Sequence, residues 1–567
     1  MPYRAPLKDH RFILDHVVNF DQVAATPQFA EATPDMIEAI LTEAARISTE
    51  VLAPLNRVGD KDPTRLENGR VVTPPGYDAG YRAIATGGWV GMAADPAYGG
   101  LGLPISLTVA VDDMMSGACL ALHVKPLLSK GQIEALEHHA GDEMKALYLP
   151  KLISGEWSGT MNLTEPHAGT DVGALRTKAE PNGDGSYAIT GQKIFISWGD
   201  SDLTTNICHL VLARLPDGVE GTKGISLFMV PKFLPDPAGN PGLRNTLKVV
   251  SLEHKLGLHG SPTCVMQFDG ATGWLVGAPH KGMAAMFTMM NNARLSVAAQ
   301  GVGVAEAALQ HALAYAMDRR QGPTPVPGYG AIIDHADVRR MLATMRAEVF
   351  AARSITLFCA VAMDMATATT DPDWAARAAF LTPIAKAFGT DIGCEVAQQG
   401  VQIHGGVGFV EETGAAQFLR DVRITPIYEG TNGIQAMDLV ARKMADGGDA
   451  AFRLIDEVQQ GAEAARDAMP DLASNVWTAA EALRDATEAL LAQPLNDRFA
   501  GAVPYLRAFA LVLGSHAHLK AAMVDPARLA LTRVMIMRLL PAHIGLLAQT
   551  REGAAGLYSV SADDLAA

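Results

Sequence analysis

The chain changes texture twice along its length. From about residue 35 to 157 its apolar residues recur at helical spacing, as in DMIEAILTEAARISTEVLAPLNRV, with a Gly/Pro-rich connector at DPAYGGLGLP. Between about 158 and 277 it becomes a series of short β-rich runs: YAITGQKIFIS, HLVLARLP, GISLFMVPK and TCVMQFD. Turn signals such as PNGDGS and FLPDPAGNPG separate them. Helical spacing then returns in long Ala- and Met-rich stretches, and after MADGGDA a further helical segment begins. The expected class is therefore mainly α with an inserted antiparallel β domain. The boundaries read as an N-terminal helical domain (1–157), a β domain (158–277), a helical bundle (278–445) and a C-terminal helical extension (446–567). The bland reading of the last nine residues, SVSADDLAA, is a loose end.

A length of 567 residues exceeds a single core and agrees with several domains. The net charge of −15 argues against nucleic acid as a partner and requires any phosphorylated ligand to be held by local cations and backbone amides. Five scattered cysteines without a CxxC pair suggest neither disulfides nor zinc, and a reducing compartment. No run of about 18 uncharged apolar residues is found, so no integral membrane segment is expected. The start, MPYRAPLKDHRFILDHVV, lacks the apolar core and cleavage site of a signal peptide. Together these readings point to the cytoplasm.

Chemistry concentrates in five short stretches. In TPIYEGTNGIQ (425–435) Glu429 is the sole formal charge, between Tyr428 and Gly430. In MNLTEPHAGTDVGALRTKAE (161–180), Thr164, Gly169 and Thr170 offer hydroxyls and close backbone approach to an anionic or polar ring ligand, or else an ordinary capped turn. In GQKIFISWGD, strand alternation puts Phe195 and Ser197 on one face, a ring beside a hydroxyl; a routine half-buried strand reads the same way. AYAMDRRQG closes a long helix with arginines that suit either its dipole or a phosphate. QIHGGVGFV carries Gly405 and Gly406 after a helix and not a strand, so it is no Rossmann fingerprint and serves equally as a helix C-cap. The pair His138–His139 has no partner at ligand spacing, and a solvated turn is the simpler reading.

Taken in order, TEPHAGTD, GQKIFIS, DRR, QIHGGVG and YEGTNGIQ resemble the acyl-CoA dehydrogenase family of flavoproteins, over about residues 40 to 443. The start and the C-terminal extension are similar to those of a long branch of that family. The resemblance implies FAD as cofactor, lying in the family between the β domain and the second helical bundle. It implies Met161, Leu163 and Thr164 beside the pyrimidine side of the flavin and Gly169 and Thr170 near the phosphates. Phe195 would pack on the ring and Ser197 bond near N5. Arg319 with Gln321, and Gln402, Gly405 and Gly406, would complete the FAD site of a neighbouring subunit, so a dimer at least is implied. Thr431 would lie near the cofactor. Thr170, Arg294, Tyr428 and Gly430 would border the acyl-CoA, although a structural ion pair serves equally for Arg294.

In the same likeness Glu429 is the catalytic base. The α-proton of an acyl thioester is weakly acidic, so its removal needs a carboxylate made more basic by an apolar pocket without a nearby cation. It also needs donors for the enolate-like oxygen, in the family the N–H of this glutamate and a ribityl hydroxyl. The alternative base position, one residue before Arg294, is Ala293 here. The implied reaction turns an acyl-CoA into its trans-2-enoyl-CoA, with electron-transfer flavoprotein as acceptor. The branch suggests 3-methylthiopropionyl-CoA as substrate, a step of dimethylsulfoniopropionate breakdown. A general fatty acyl-CoA dehydrogenase, an oxidase on the same scaffold and a non-catalytic acyl-CoA binder are the alternatives. Gly433, Phe195 and the DRRQGP ending depart from the usual family pattern. LTRVMIMRLLPAHIGLLA (531–548) is expected to be buried against the main body, with Pro541 interrupting its helix.

Overall fold

The computed structural model describes residues 3–325 and 330–567 and divides into two compact units. One comprises Arg46–Pro104 and Ala118–Ser296, the other Met1–Ala45, Ile105–Gly117 and Val297–Ala567.

In the first unit, seven strands make one sheet: β1 (Trp157–Asn162), β2 (Lys178–Pro181), β3 (Tyr187–Ser197), β4 (Asn206–Arg214), β5 (Ile225–Pro231), β6 (Leu247–Leu252) and β7 (Thr263–Val276). β7 pairs with β6, β3 and β5, and β5 with β4, all antiparallel; β2 pairs antiparallel with β3. β4 touches β2 again at Lys178–Arg214, so β2, β3, β7, β5 and β4 close on themselves. The sheet is not wholly antiparallel as expected, because β1 runs parallel to β4. β1 enters directly from the helix Asp142–Ile153 and so is free of hairpin direction. Alternating residues such as Ile189, Val211, Phe228 and Phe268 fill the interior.

Under this sheet lies a buried cation. Lys125 Nζ donates to Ser158 Oγ at 2.8 Å and to Ser201 Oγ at 3.0 Å, and stands 5.3 Å from the Tyr81 and Trp198 ring centroids. Burial pushes its ammonium down to about 7 from 10.5. The unfolded chain therefore binds the proton more tightly, and stability rises with pH between those two values. Lys125→Met is expected to unfold at higher denaturant than the parent at the lower end of this window. The gap should shrink toward the upper end, as read by urea titrations at several pH values.

The second unit is helical. It takes the helix Gly282–Asp318 from Val297 on, then Ala336–Ala368 and Pro372–His404, followed by the shorter Ala415–Val422 and Asn432–Ala441. A Cβ on Gly301 would collide with the Gly389 carbonyl, so glycine there lets two long helices approach backbone to backbone. The extension contributes Asp449–Ala464, Pro470–Ala492 and Leu495–Val524. The last is buried over most of its length and packs against Ala336–Ala368 and Asn432–Ala441.

Three expectations need correction. Among the described residues three helical stretches are long and apolar enough to cross a membrane: Ile105–His139, Ala336–Ala368 and Pro526–Glu552. Isolated charges interrupt each of them, so none is an uncharged run. In the first two, 94% and 89% of the apolar window is buried inside the protein, so that hydropathy serves the core; in the third the share is 28%. Accordingly 531–548 is buried on one face only. Met535, Ile536, Leu540 and Leu547 are inside, whereas Met537 and Ile544 are exposed. The helix breaks at Pro541 as expected, through a π turn Met535–Leu539 and a 3₁₀ turn Leu540–Ala542. The chain end is also not loose coil: Ser561 and Asp564 form a capping box on the exposed helix Ala562–Ala566.

Candidate active site

Glu429 is half-buried, in a turn whose main chain is held from several sides. Its φ is +56° and that of Gly430 is +86°. For a glutamate the left-handed region costs about 1–3 kcal/mol, and it persists only where neighbours impose it. They are visible here. Gln435 Nε2 donates to the carbonyls of Glu429 and Gly430, both at 3.2 Å, and buried Lys386 Nζ donates to the Gly430 carbonyl and to Asn432 Oδ1, both at 2.9 Å. Asn432 Nδ2 in turn donates to Asp391 Oδ1 at 2.7 Å.

Tyr428 donates its hydroxyl to Gln300 Oε1. Burial pushes the Tyr428 phenol well up, and the adjacent Glu429 charge adds to the rise. The expectation of surroundings without a cation is thus amended. A buried ammonium holds the peptide next to Glu429, and it comes from a helix forty-four residues earlier. Thr431 caps the helix Asn432–Ala441, its hydroxyl accepting from the Ile434 N–H at 3.4 Å.

The β-domain residues form a second cluster. β3 carries one extra residue against β7: Ile196 faces Cys264 and Lys193 faces Met266, so Ile194 and Phe195 share one opposite position. At this bulge Phe195 takes φ +59° and its side chain is 60% exposed. Ile196 is buried, Ser197 half-buried and Phe195 exposed. The Ile194 N–H donates to the Thr164 carbonyl at 3.0 Å, bringing the TEPHAGTD loop beside the bulge.

Below the bulge lies a buried ion pair, Lys193 Nζ to Glu165 Oε1 at 2.8 Å. Lys193 also donates to the Leu163 carbonyl at 3.0 Å, and Glu165 accepts from the Arg176 and Thr177 N–H groups and the Thr177 hydroxyl. Burial acts against both charges. It takes the Lys193 ammonium down to about 8, while the neighbouring ammonium and three further donors hold Glu165 at about 2, so both are ionised at neutral pH. Met161, Leu163 and Thr164 are half-buried here, and Gly169 and Thr170 exposed. Arg294 is buried, at 5% exposure.

Arg319 lies just beyond the helix Gly282–Asp318 and donates through Nη2 to Gln321 Oε1 at 3.2 Å, so this pair is assembled. Gly405, at φ +61°, caps the helix Pro372–His404 by donating to the Gln402 carbonyl. Among the described residues, apart from the adjoining chain, nothing lies within 4 Å of a Cβ built on Gly405 or Gly406. His139 Nε2 is bonded to Thr288 Oγ1 and His138 Nδ1 to the Glu134 carbonyl; among the described residues no three ligating side chains gather. Sequence reasoning passed over Lys193, Glu165, Lys386, Gln300 and Gln435. A lysine in the otherwise uncharged run ITGQKIFIS was a usable signal for the first of them.

These residues fit a large, flat, partly anionic cofactor. Phe195 offers an exposed ring in a strained backbone position, half-buried Ser197 gives a hydroxyl two residues on, and the neighbouring loop presents Thr164, Gly169 and Thr170.

Comparison with known proteins agrees along the chain. Family models match residues 36–156, 160–271 and 280–444 as the N-terminal, middle and C-terminal domains of acyl-CoA dehydrogenase. A fourth, acetyl-CoA dehydrogenase C-terminal like, matches residues 454–559. The 3-methylmercaptopropionyl-CoA dehydrogenase of Ruegeria pomeroyi is 46% identical over 521 residues, covering 89% of this chain and 88% of that one. Caenorhabditis elegans ACDH-11, solved in complex with C11-CoA, superposes with a TM-score of 0.81 at 19% identity over 95% of this chain and 92% of its own. A Bacillus anthracis acyl-CoA dehydrogenase complexed with FAD gives a TM-score of 0.73 at 20% identity, over 99% and 93%.

Proposed function

The chain belongs to the acyl-CoA dehydrogenase family and is an FAD-dependent oxidoreductase, and on that premise we propose that it converts 3-methylthiopropionyl-CoA to methylthioacryloyl-CoA with Glu429 as base. The strained Glu429–Gly430 turn, tied down by Lys386 and Gln435, supports the base, and the likeness to the Ruegeria pomeroyi enzyme supports the substrate. The turn fixes one carboxylate and one main-chain N–H relative to each other. The Glu429 carboxylate takes the proton from C2 of the thioester, and a bound substrate, by excluding water, leaves it less solvated and more basic. The Glu429 N–H donates to the thioester oxygen as charge builds there. Tyr428, Gly430, Thr170 and Arg294 border the substrate.

FAD, when bound, supplies the acceptor for the hydride leaving C3. Met161, Leu163, Thr164, Phe195 and Ser197 would hold its ring system, and Gly169, Thr170 and Thr431 other parts. Arg319, Gln321, Gln402, Gly405 and Gly406 would reach the cofactor of a second copy of the chain. Exposed apolar side chains at Val407, Phe409 and Val410 beside those glycines support a homo-oligomer. Electron-transfer flavoprotein is the proposed acceptor, dimethylsulfoniopropionate breakdown the setting and the cytoplasm the location.

Steady-state rates over an acyl-CoA panel test the substrate. The highest kcat/KM is expected with 3-methylthiopropionyl-CoA, whereas a clear preference for long straight chains would replace this reading with a general fatty acyl-CoA dehydrogenase. Oxygen uptake without an added acceptor would mark an oxidase. Lys386→Met is expected to lower kcat by about 10²-fold with FAD retained, since a shift of about 1 Å in a positioned group has that effect. Flavin absorbance and turnover measured on one preparation check it.

A further inference from the structure

A cavity of about 560 Å³ lies in the helical unit, away from every residue assigned above. The helices Ala336–Ala368, Pro372–His404, Asp449–Ala464 and Leu495–Val524 supply most of its wall. Its size suits a small organic molecule.

The floor is apolar and aromatic: Phe358 and Val361 are buried, and Trp374 stands at one side. Met523 and Val524 leave apolar surface exposed at the rim. Three charged side chains face inward. Arg377 Nη1 donates to Glu457 Oε2 at 2.6 Å, which leaves Lys520 as the surplus cation. Lys520 Nζ sits 5.7 Å from the Phe358 ring centroid, and no carboxylate lies within ion-pair distance of it among the described residues. His516, 3% exposed, lies under Lys520 with neither ring nitrogen hydrogen-bonded among the described residues. Its Nε2 is 3.8 Å from Glu457 Oε1, an ion-pair distance when the ring is protonated but too long for a hydrogen bond. Gly461 makes room for the imidazole, since a Cβ there would strike Cε1 and Nδ1 of His516.

A half-buried ammonium on an aromatic face, beside a buried imidazole with unmade bonds, favours an acceptor group of negative charge. The apolar floor and rim favour a hydrocarbon body attached to it. We propose that this cavity binds a small amphipathic monocarboxylate, its carboxylate on Lys520 and His516 and its apolar body over Phe358 and Val361. The site is separate from Glu429 and does not rest on the reading of the reaction.

Calorimetric titration of the FAD-loaded protein with sodium octanoate tests this, beside Lys520→Met and Met523→Glu. Met523 is exposed at the rim, so the second variant folds as the parent does and brings a repelling charge to the mouth. The expected result is a saturable component in the parent that weakens at least about tenfold in both variants, with acyl-CoA turnover unchanged; tenfold corresponds to about 1.4 kcal/mol. The proposal is overturned by the absence of a saturable component in the parent, or by a component equally strong in both variants, which would locate octanoate elsewhere. Inorganic phosphate binding as tightly as octanoate would also overturn it, since the apolar body would then contribute nothing.

Discussion

Replacing Glu429 by glutamine should leave a yellow, folded protein whose turnover has fallen by a factor of about 10²–10⁴ or more. The amide has nearly the carboxylate's size, and the turn is held through main-chain carbonyls by Gln435 and Lys386, so shape and FAD binding are retained. The amide cannot take the C2 proton, and with Ala at position 293 the alternative family position offers no substitute. Steady-state kinetics with an artificial electron acceptor measure the loss. A variant with a tenth of the parent's kcat would move the base elsewhere.

The second large effect concerns stability. Arg353 is 1% exposed and grips Asp113 with two bonds, Nε to Oδ2 at 2.8 Å and Nη2 to Oδ1 at 3.2 Å; its Nη1 donates to Glu306 Oε2 at 3.2 Å. Arg346 links Glu306 to Asp9, and Arg528 of the extension reaches Asp9 at 3.1 Å. One network therefore ties the N-terminal segment, three helices and the extension together. Arg353→Met leaves buried Asp113 with His10 alone, while Glu306 keeps Arg346 and Gln310; the loss at Asp113 should cost about 3 kcal/mol, seen as a lower urea midpoint with little change in KM. Replacing Asp113 by leucine as well should recover part of it. An unchanged midpoint in the single variant would show that the network contributes nothing net.

The network also has a pH signature. Burial raises the Asp113 carboxyl, but Arg353 and His10 outweigh it and hold the group down at about 2, from 3.8. A depressed carboxylate contributes stability above its unfolded value that is lost as pH falls toward the folded one. The parent's advantage over Arg353→Met should therefore shrink below about pH 4.

The order of helical and β parts was legible because periodicity is local, and Glu429 stands out in the sequence as a charge with no charged neighbours in its own stretch. Phe195 was legible as an aromatic beside a hydroxyl. Its exposure and strain were not, because they follow from one extra residue counted against β7, some seventy residues away. Lys386 and Arg353 escaped for a related reason: each reads as an isolated cation in an apolar helix, and its partners lie on other segments. The parallel entry of β1 was hidden because strand patterning reports which face is buried, not direction.

The central claim is that Glu429 removes the C2 proton in the step that reduces the flavin. Anaerobic rapid mixing of the FAD-loaded protein with 3-methylthiopropionyl-CoA, followed through loss of flavin colour in a single turnover, tests it most directly. The account predicts fast bleaching in the parent, slowed when C2 carries deuterium, and a flavin that stays oxidised in Glu429→Gln over the same interval. Bleaching of the variant at close to the parent's rate would contradict it.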